Sequence, residues 1–404
     1  MNMSVSQSLK YFFLRFRRFC GFICGFVFFI SGILKLMDPV GAGLVMDSYL
    51  NFLHLGFLKF ASKGLGLFFA LAEVFIGTAL ITGVWRKVTA IAAVSLQGFF
   101  TILTLVLLIF NPVMDCGCFG EAIHLTHLQT FVKNLIICVL LAIAFIPMRN
   151  LGRPMKRKYV SFGIVCASVI AFSIYSLLYL PLVDFTDYKP GVALSAARPD
   201  AETTDEEAFE SVFVYEKEGV QKEFTLETLP DSTWTFVSTH TVQKQSLDDT
   251  GAELSFYNED HEYQDTLAAQ GNVMIISIYD PDVKEKKWQE VVKFAEQAED
   301  AGFTPMILVA STPDQINGIN TNGIPVYFCD YKTLITLNRS NGGAAWFSQG
   351  YLIKKWAPRL YPDKEQLSEY IKGNPTETIL ENDSEGSLIF QGILLYVFAV
   401  MLLL

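Results

Sequence analysis

The chain has 404 residues, 51% of them hydrophobic, yet it carries a formal net charge of −10. A mean hydropathy of +0.34 excludes a purely soluble protein, and the negative balance requires that apolar and acidic material be segregated along the chain. No nucleic-acid partner is expected; the lipid bilayer is. Apolar stretches near the ~20 residues needed to cross a bilayer run from Phe19 to Met37, Gly64 to Val84, Val88 to Phe110, Phe131 to Met148, Tyr159 to Leu180 and Ser387 to Leu404. No small-residue cleavage site follows the first stretch, which reads as a retained anchor ended by Asp38-Pro39. After it, Leu44, Val45, Tyr49, Leu50, Phe52, Leu53, Phe57 and Phe60 recur at roughly helical spacing. They predict either an amphipathic helix on the membrane surface or a lid on the ends of the bundle.

Lys and Arg collect on alternate connections. They fill the N-terminal segment (Lys10, Arg15, Arg17, Arg18), the turn Trp85-Arg86-Lys87 and the connection from Arg149 to Lys158. The loop from Asn111 to Thr130 has none. The positive-inside rule then places both termini in the cytoplasm, with the 111–130 loop and residues 181–385 on the outer side of the membrane.

Residues 181–272 read as an acidic linker followed by a β-rich extension. The alternation in Ser211 to Tyr215 and Glu223 to Leu226 predicts a hairpin, with Trp234 to Val237 as a further strand. From 273 to 375 strands and helices alternate, starting with the unbroken apolar run Val273 to Ile278 and closing with a hairpin and the helix 364–371. A β-α-β half followed by a β-hairpin and helix is the order of a thioredoxin-like domain. Where a thioredoxin carries C-x-x-C, this chain has Tyr279-Asp280-Pro281-Asp282-Val283. Cys329 is the single cysteine after residue 180, and the expected cis-proline is not evident.

The chemistry concentrates in Asp115-Cys116-Gly117-Cys118-Phe119-Gly120. Cysteines at i and i+2 of a turn can approach the ~5.5–6 Å Cα separation a disulfide prefers, and the small ring favours a labile bond over a structural one. Cys116 and Cys118 are therefore candidate catalytic residues of a redox dithiol. Two other readings stay open: a metal site completed by His124 and His127, and a stapling disulfide or idle thiols. Asp115 would disfavour a thiolate and Lys133 would offset it. Glu73, a carboxylate deep in the second span, is the third candidate, as a proton relay, a quinone-site polar group or a structural tie. Lys35 and Gln97 are its expected partners. Cys20, Cys24, Cys138 and Cys166 read as small apolar residues within spans.

Ser31 to Pro39, Glu73 to Gly77 and above all Asp115 to Gly120 resemble motifs of DoxX/MauE-type membrane proteins, over about residues 19–148. The layout is similar to Bacteroidota DoxX-family proteins, in which Asn338 to Gly343 corresponds to an R-S-N-P-G turn with Gly342 in place of proline. The resemblance implies a four-helix membrane core within residues 1–150, further spans at 159–180 and 387–404, and an α/β thioredoxin-like extracytoplasmic domain. It also implies association with disulfide maturation of a periplasmic thiol client, with quinone as an electron acceptor. A non-enzymatic scaffold or assembly factor is the alternative function.

Overall fold

The computed structural model describes residues 5–112, 116–147, 154–197, 209–217, 220–224, 235–243, 251–316 and 318–403. Asp115, Arg149, Arg153, the acidic run from Asp200 to Glu207, Gly219 and Trp234 lie outside them. In chain order the bundle contains α1 (Val5–Met37), α2 (Pro39–Phe52), α3 (Ser62–Thr82), α4 (Arg86–Phe110), the short strand β1 (Cys118–Glu121), α5 (His127–Phe145) and α6 (Lys156–Leu178). The soluble part follows with β2 (Phe209–Lys217), β3 (Val220–Phe224), β4 (Thr235–Gln243), β5 (Phe256–Tyr257) and β6 (Asn272–Ile278). It continues through α7 (Glu285–Ala301), β7 (Thr304–Val309), α8 (Pro313–Ile316), β8 (Val326–Cys329) and α9 (Tyr331–Leu337). It closes with β9 (Gly343–Ser348), β10 (Tyr351–Trp356) and α10 (Lys364–Lys372), before α11 (Pro375–Leu403).

Among the described residues, six helices are long and apolar enough to cross a membrane. The last begins at Pro375, twelve residues before the apolar run starts at Ser387. The tightest crossing in the bundle is α1 on α3. A Cβ at Gly77 would stand 2.6 Å from the Phe29 backbone nitrogen and 2.7 Å from the Gly25 carbonyl oxygen. Small residues that let two backbones meet are how apolar helices associate where burial from water cannot drive them together.

α2 starts at a firm cap. Asp38 Oδ1 accepts from the Gly41 N–H at 2.8 Å, and Pro39 occupies the first helical position. Gly41, Ala42, Gly43, Tyr49 and Leu50 are buried, so the helix is a lid inserted between neighbours. It does not lie free on a surface.

The soluble part holds a six-stranded mixed sheet in the order β10-β9-β6-β7-β8-β5 and a separate three-stranded antiparallel sheet, β3-β2-β4. β6 pairs parallel with β7 and antiparallel with β9, and β7 pairs parallel with β8. The unbroken apolar run of β6 follows from its central place, where both faces are covered. Val273 and Ile275 pack with Leu308, Phe347 and Leu334 on one side. Met274, Ile276 and Ile278 pack with Trp288, Val291 and Phe294 of α7 on the other. β5, not anticipated from sequence, is a two-residue edge strand held by Phe256 opposite Cys329.

Candidate functional site

Cys116 and Cys118 sit at the roof of an elongated cavity of about 340 Å³ between α1, α3, α4, α5 and α2. Most of its wall is apolar, including Val27, Phe28, Leu65, Phe69, Phe100 and Leu103. Gly117 between the cysteines has φ +54, and a Cβ there would stand 2.2 Å from Val45 Cγ1 of α2. Glycine is required twice over, by the left-handed backbone and by the lid pressed against it. Tyr49 of α2 donates its hydroxyl to the Cys116 carbonyl. The lid is thereby fastened to the cysteine loop itself.

The two thiols are unbonded and hydrogen-bonded to each other, and their surroundings are unequal. Cys116 is 4% exposed, packed with Tyr49 and Leu107. The hydrogen bond with Cys118, then burial, push its thiol well above the ordinary range. Cys118 is half-buried and receives that hydrogen bond. The bond, helped by Lys133 and Lys35, outweighs burial and lowers its thiol to about 6. Lys133 Nζ also lies 4.6 Å from the Phe119 ring centre, which keeps the ammonium close to the loop. The expectation that Lys133 offsets its surroundings at the pair therefore has a geometric basis, whereas Asp115 is not among the described residues.

His127 is one of the two histidines that could complete a metal site, but its contacts give it a different place. Thr126 and Gln129 form a capping box that starts α5 at His127, so the ring hangs at the loop end. Its Nε2 lies 3.0 Å from the Pro112 carbonyl oxygen and its Nδ1 3.5 Å from Cys116 Sγ. A carbonyl only accepts, so Nε2 must carry the proton. In the neutral ring Nδ1 then presents a lone pair to Cys116 Sγ, whose single proton is given to Cys118 and not to the ring. Among the described residues no three His, Cys, Asp or Glu side chains converge on a common point, so the two-cysteine, two-histidine arrangement is not assembled.

Below the cysteines, Glu73 is 1% exposed. Its Oε1 meets Lys35 Nζ at 2.5 Å and its Oε2 accepts from Ser31 Oγ at 2.6 Å. Ser31 Oγ lies 2.7 Å from the Cys118 carbonyl oxygen, so Ser31 touches both the buried acid and the cysteine strand. Lys35 is the partner expected for Glu73, but Gln97 is not. Gln97 Nε2 donates to the Asn134 carbonyl at 3.2 Å, bridging α4 to α5. Facing the cavity, it finds a backbone acceptor on its neighbour before it can reach the far side.

Arg339 joins the soluble part to this site. Its guanidinium, 6% exposed, donates to Asp38 Oδ2 from Nε at 2.9 Å and from Nη2 at 2.8 Å. Nη2 also reaches Glu121 Oε1 at 3.2 Å, and Nη1 donates to the Ile335 carbonyl at 3.2 Å. One side chain thus ties the turn after α9 to the cap of the lid and to the strand that begins at Cys118. Val40 and Leu44, on the outer side of α2, pack against the core of the mixed sheet. The adjoining Gly342 has φ +77, a conformation that proline cannot adopt, which accounts for glycine at that point of the turn. Sequence reading missed Arg339, Tyr49 and the orientation of His127. Only the capping box at Thr126 offered a signal for the last.

Of the remaining cysteines, Cys20 and Cys24 are fully buried among apolar side chains, while Cys138 and Cys166 are partly buried within helices. Cys329 is 6% exposed, and burial pushes its thiol up to about 12.

Residues 12–147 match the family model described as methylamine utilisation protein MauE, and residues 209–246 match a domain of unknown function (DUF8463) that coincides with the three-stranded sheet. No curated protein and no solved structure matches the chain. The match and the six apolar helices together mark a multi-pass membrane protein whose first third is MauE-like.

Proposed function

We propose that this protein is a membrane thiol–disulfide redox protein that moves electron pairs between a periplasmic dithiol client and a quinone through Cys116 and Cys118. The observation that carries the proposal is the pair itself: two neighbouring thiols in opposite electrostatic states at the mouth of an apolar cavity. In the oxidising half, a client thiolate attacks Sγ of Cys118, the more accessible sulfur, and the Cys116–Cys118 bond breaks. Cys116 leaves and takes a proton from the His127 imidazolium. The second client thiol then attacks the client sulfur of the mixed disulfide and releases Cys118 as a thiolate, the better leaving group. Two electrons have passed from the client dithiol to the pair: Cys116 holds the proton given by His127, Cys118 stays a thiolate, and the proton of the second client thiol goes to solvent.

The return half needs a two-electron, two-proton oxidant, and a quinone supplies that chemistry when bound. The apolar wall of the cavity suits a quinone ring and tail. Lys35, Lys133 and the Ser31–Glu73 pair supply charge and proton-bearing groups beside Cys118. His127 accepts the Cys116 proton as the disulfide re-forms.

In this reading the bundle lies in a bacterial inner membrane with both termini cytoplasmic, as the Lys and Arg distribution favours. The soluble part is then read as a thioredoxin-like domain, which the order β6-α7-β7 then β9-β10-α10 and the strand directions support. Lacking a second thiol, it positions the client and does not exchange with it. A scaffold function draws on the same latch at Arg339, since a buried ion pair can fix an assembly without chemistry.

Native membranes treated with a membrane-impermeant maleimide before and after reduction should show a Cys116–Cys118 pair that is at least partly oxidised, and the signal should vanish in Cys116→Ser. Purified reduced protein should convert one short-chain benzoquinone to its quinol per pair. A pair found fully reduced under all native conditions overturns the redox reading and leaves the scaffold.

A further inference from the structure

At the end of the bundle opposite the cysteines lies a second cavity, of about 360 Å³, between the start of α1, the α3–α4 turn and the end of α5. Three arginines line it: Arg17, Arg18 and Arg86. Arg17 is largely buried and spent on structure. Its Nε donates to the carbonyls of Ile143 and Ala144 at 3.2 and 3.1 Å, and its Nη2 to that of Pro147 at 2.8 Å. It closes the carboxyl end of α5, and among the described residues no acid compensates its positive charge. Arg86 uses one donor, Nε, on the Gly83 carbonyl at 3.2 Å. Its terminal nitrogens, and the whole guanidinium of Arg18, have no protein acceptor among the described residues. No carboxylate pairs with any of the three among the described residues.

We infer that this cavity binds the phosphate of an anionic phospholipid, with Arg18 and Arg86 as the ligating residues and Arg17 as a fixed background charge. Guanidinium forks match phosphate oxygens in pairs. The wall next to the arginines is apolar, formed by Leu14, Phe19, Phe22, Leu80, Ile81 and Phe145. Phe19 is 59% exposed and faces outward, so the site is cationic at the rim and greasy along one side. That combination fits a phosphodiester carrying acyl chains better than a free anion, and the volume lies within the usual range for ligand pockets. The inference needs the bundle to be embedded in lipid but is independent of the thiol chemistry.

The test uses the purified full chain in detergent, with thermal unfolding followed as lipid is added. Phosphatidylglycerol should raise the midpoint of the parent by several degrees, and phosphatidylcholine should raise it far less. Arg18→Gln/Arg86→Gln should lose most of that rise, whereas Lys87→Gln, an exposed charge outside the cavity, should keep it. Should the double variant unfold before lipid is added, Arg18→Gln alone decides, because Arg18 is exposed and makes no internal bond. An equal response to both lipids overturns the site, as does a full rise retained in the Arg18 variants or a rise lost equally in Lys87→Gln. A rise reproduced in full by inorganic phosphate overturns the lipid and assigns the arginines to a soluble anion.

Discussion

Cys118 titrates in the opposite direction to its neighbour because one hydrogen bond is shared unequally: the sulfur that receives it is stabilised as a thiolate, the one that gives it is not. The alkylation rate of Cys118 in the reduced protein should therefore rise through about pH 6 and level off above it. Below that pH the thiol is protonated and slow. Cys116→Ala removes the donor, so the midpoint should climb toward that of an ordinary thiol, as mass spectrometry of the alkylated peptide across pH will show. Glu73 poses a different test. Glu73→Gln leaves Lys35 charged in an apolar cavity and should destabilise the bundle by about 3–5 kcal/mol, whereas Lys35→Met/Glu73→Gln should recover much of that loss. Thermal unfolding of the two variants measures the difference. A double variant as stable as the parent but unable to reduce quinone would move Glu73 from a tie between helices into the chemistry.

Helices and strands differ in how much of their surroundings they announce. The apolar runs of α1, α3, α4, α5 and α6 were legible because each needs about 20 apolar residues whatever its neighbours do. The run Val273 to Ile278 declared a doubly covered strand for a similar reason. α2 was ambiguous, since its apolar spacing serves a surface helix and a lid equally; what decides is Ala42 and Gly43 meeting Gly66 and Lys63 of α3, and Val45 meeting Gly117. The latch was invisible: Arg339 and Asp38 are 301 positions apart, and no local pattern marks such a pair. Replacing Arg339 by Gln should leave Asp38 without its cation and lower stability by about 3–5 kcal/mol. It should also speed maleimide labelling of Cys118 as α2 loosens. Gly342→Pro should be more severe than Gly342→Ala, because φ +77 is closed to proline and only strained for alanine, by about 1–2 kcal/mol. Denaturant midpoints will order the three.

At the scale of the molecule, the cysteine loop, the lid and the soluble part all gather at one end of the bundle, and the arginine-lined cavity marks the other. An impermeant thiol reagent applied to sealed vesicles should reach Cys118 and a cysteine introduced at exposed Tyr263 from the same side. A cysteine introduced at exposed Lys87 should react from the opposite side. Labelling of all three from one face would dismiss the six-span arrangement.

The soluble part leaves the bundle after α6 and returns to it as α11, so it is leashed at both ends. When Arg339 lets go of Asp38, nothing diffuses away, and the same surfaces remain at an effective concentration on the order of millimolar. Any visiting protein that seeks the cysteines through this face competes against a resident that is never absent. Under the proposed redox function, admission would depend less on how tightly a visitor binds than on whether it can hold the resident aside for the time that an exchange of sulfur bonds takes.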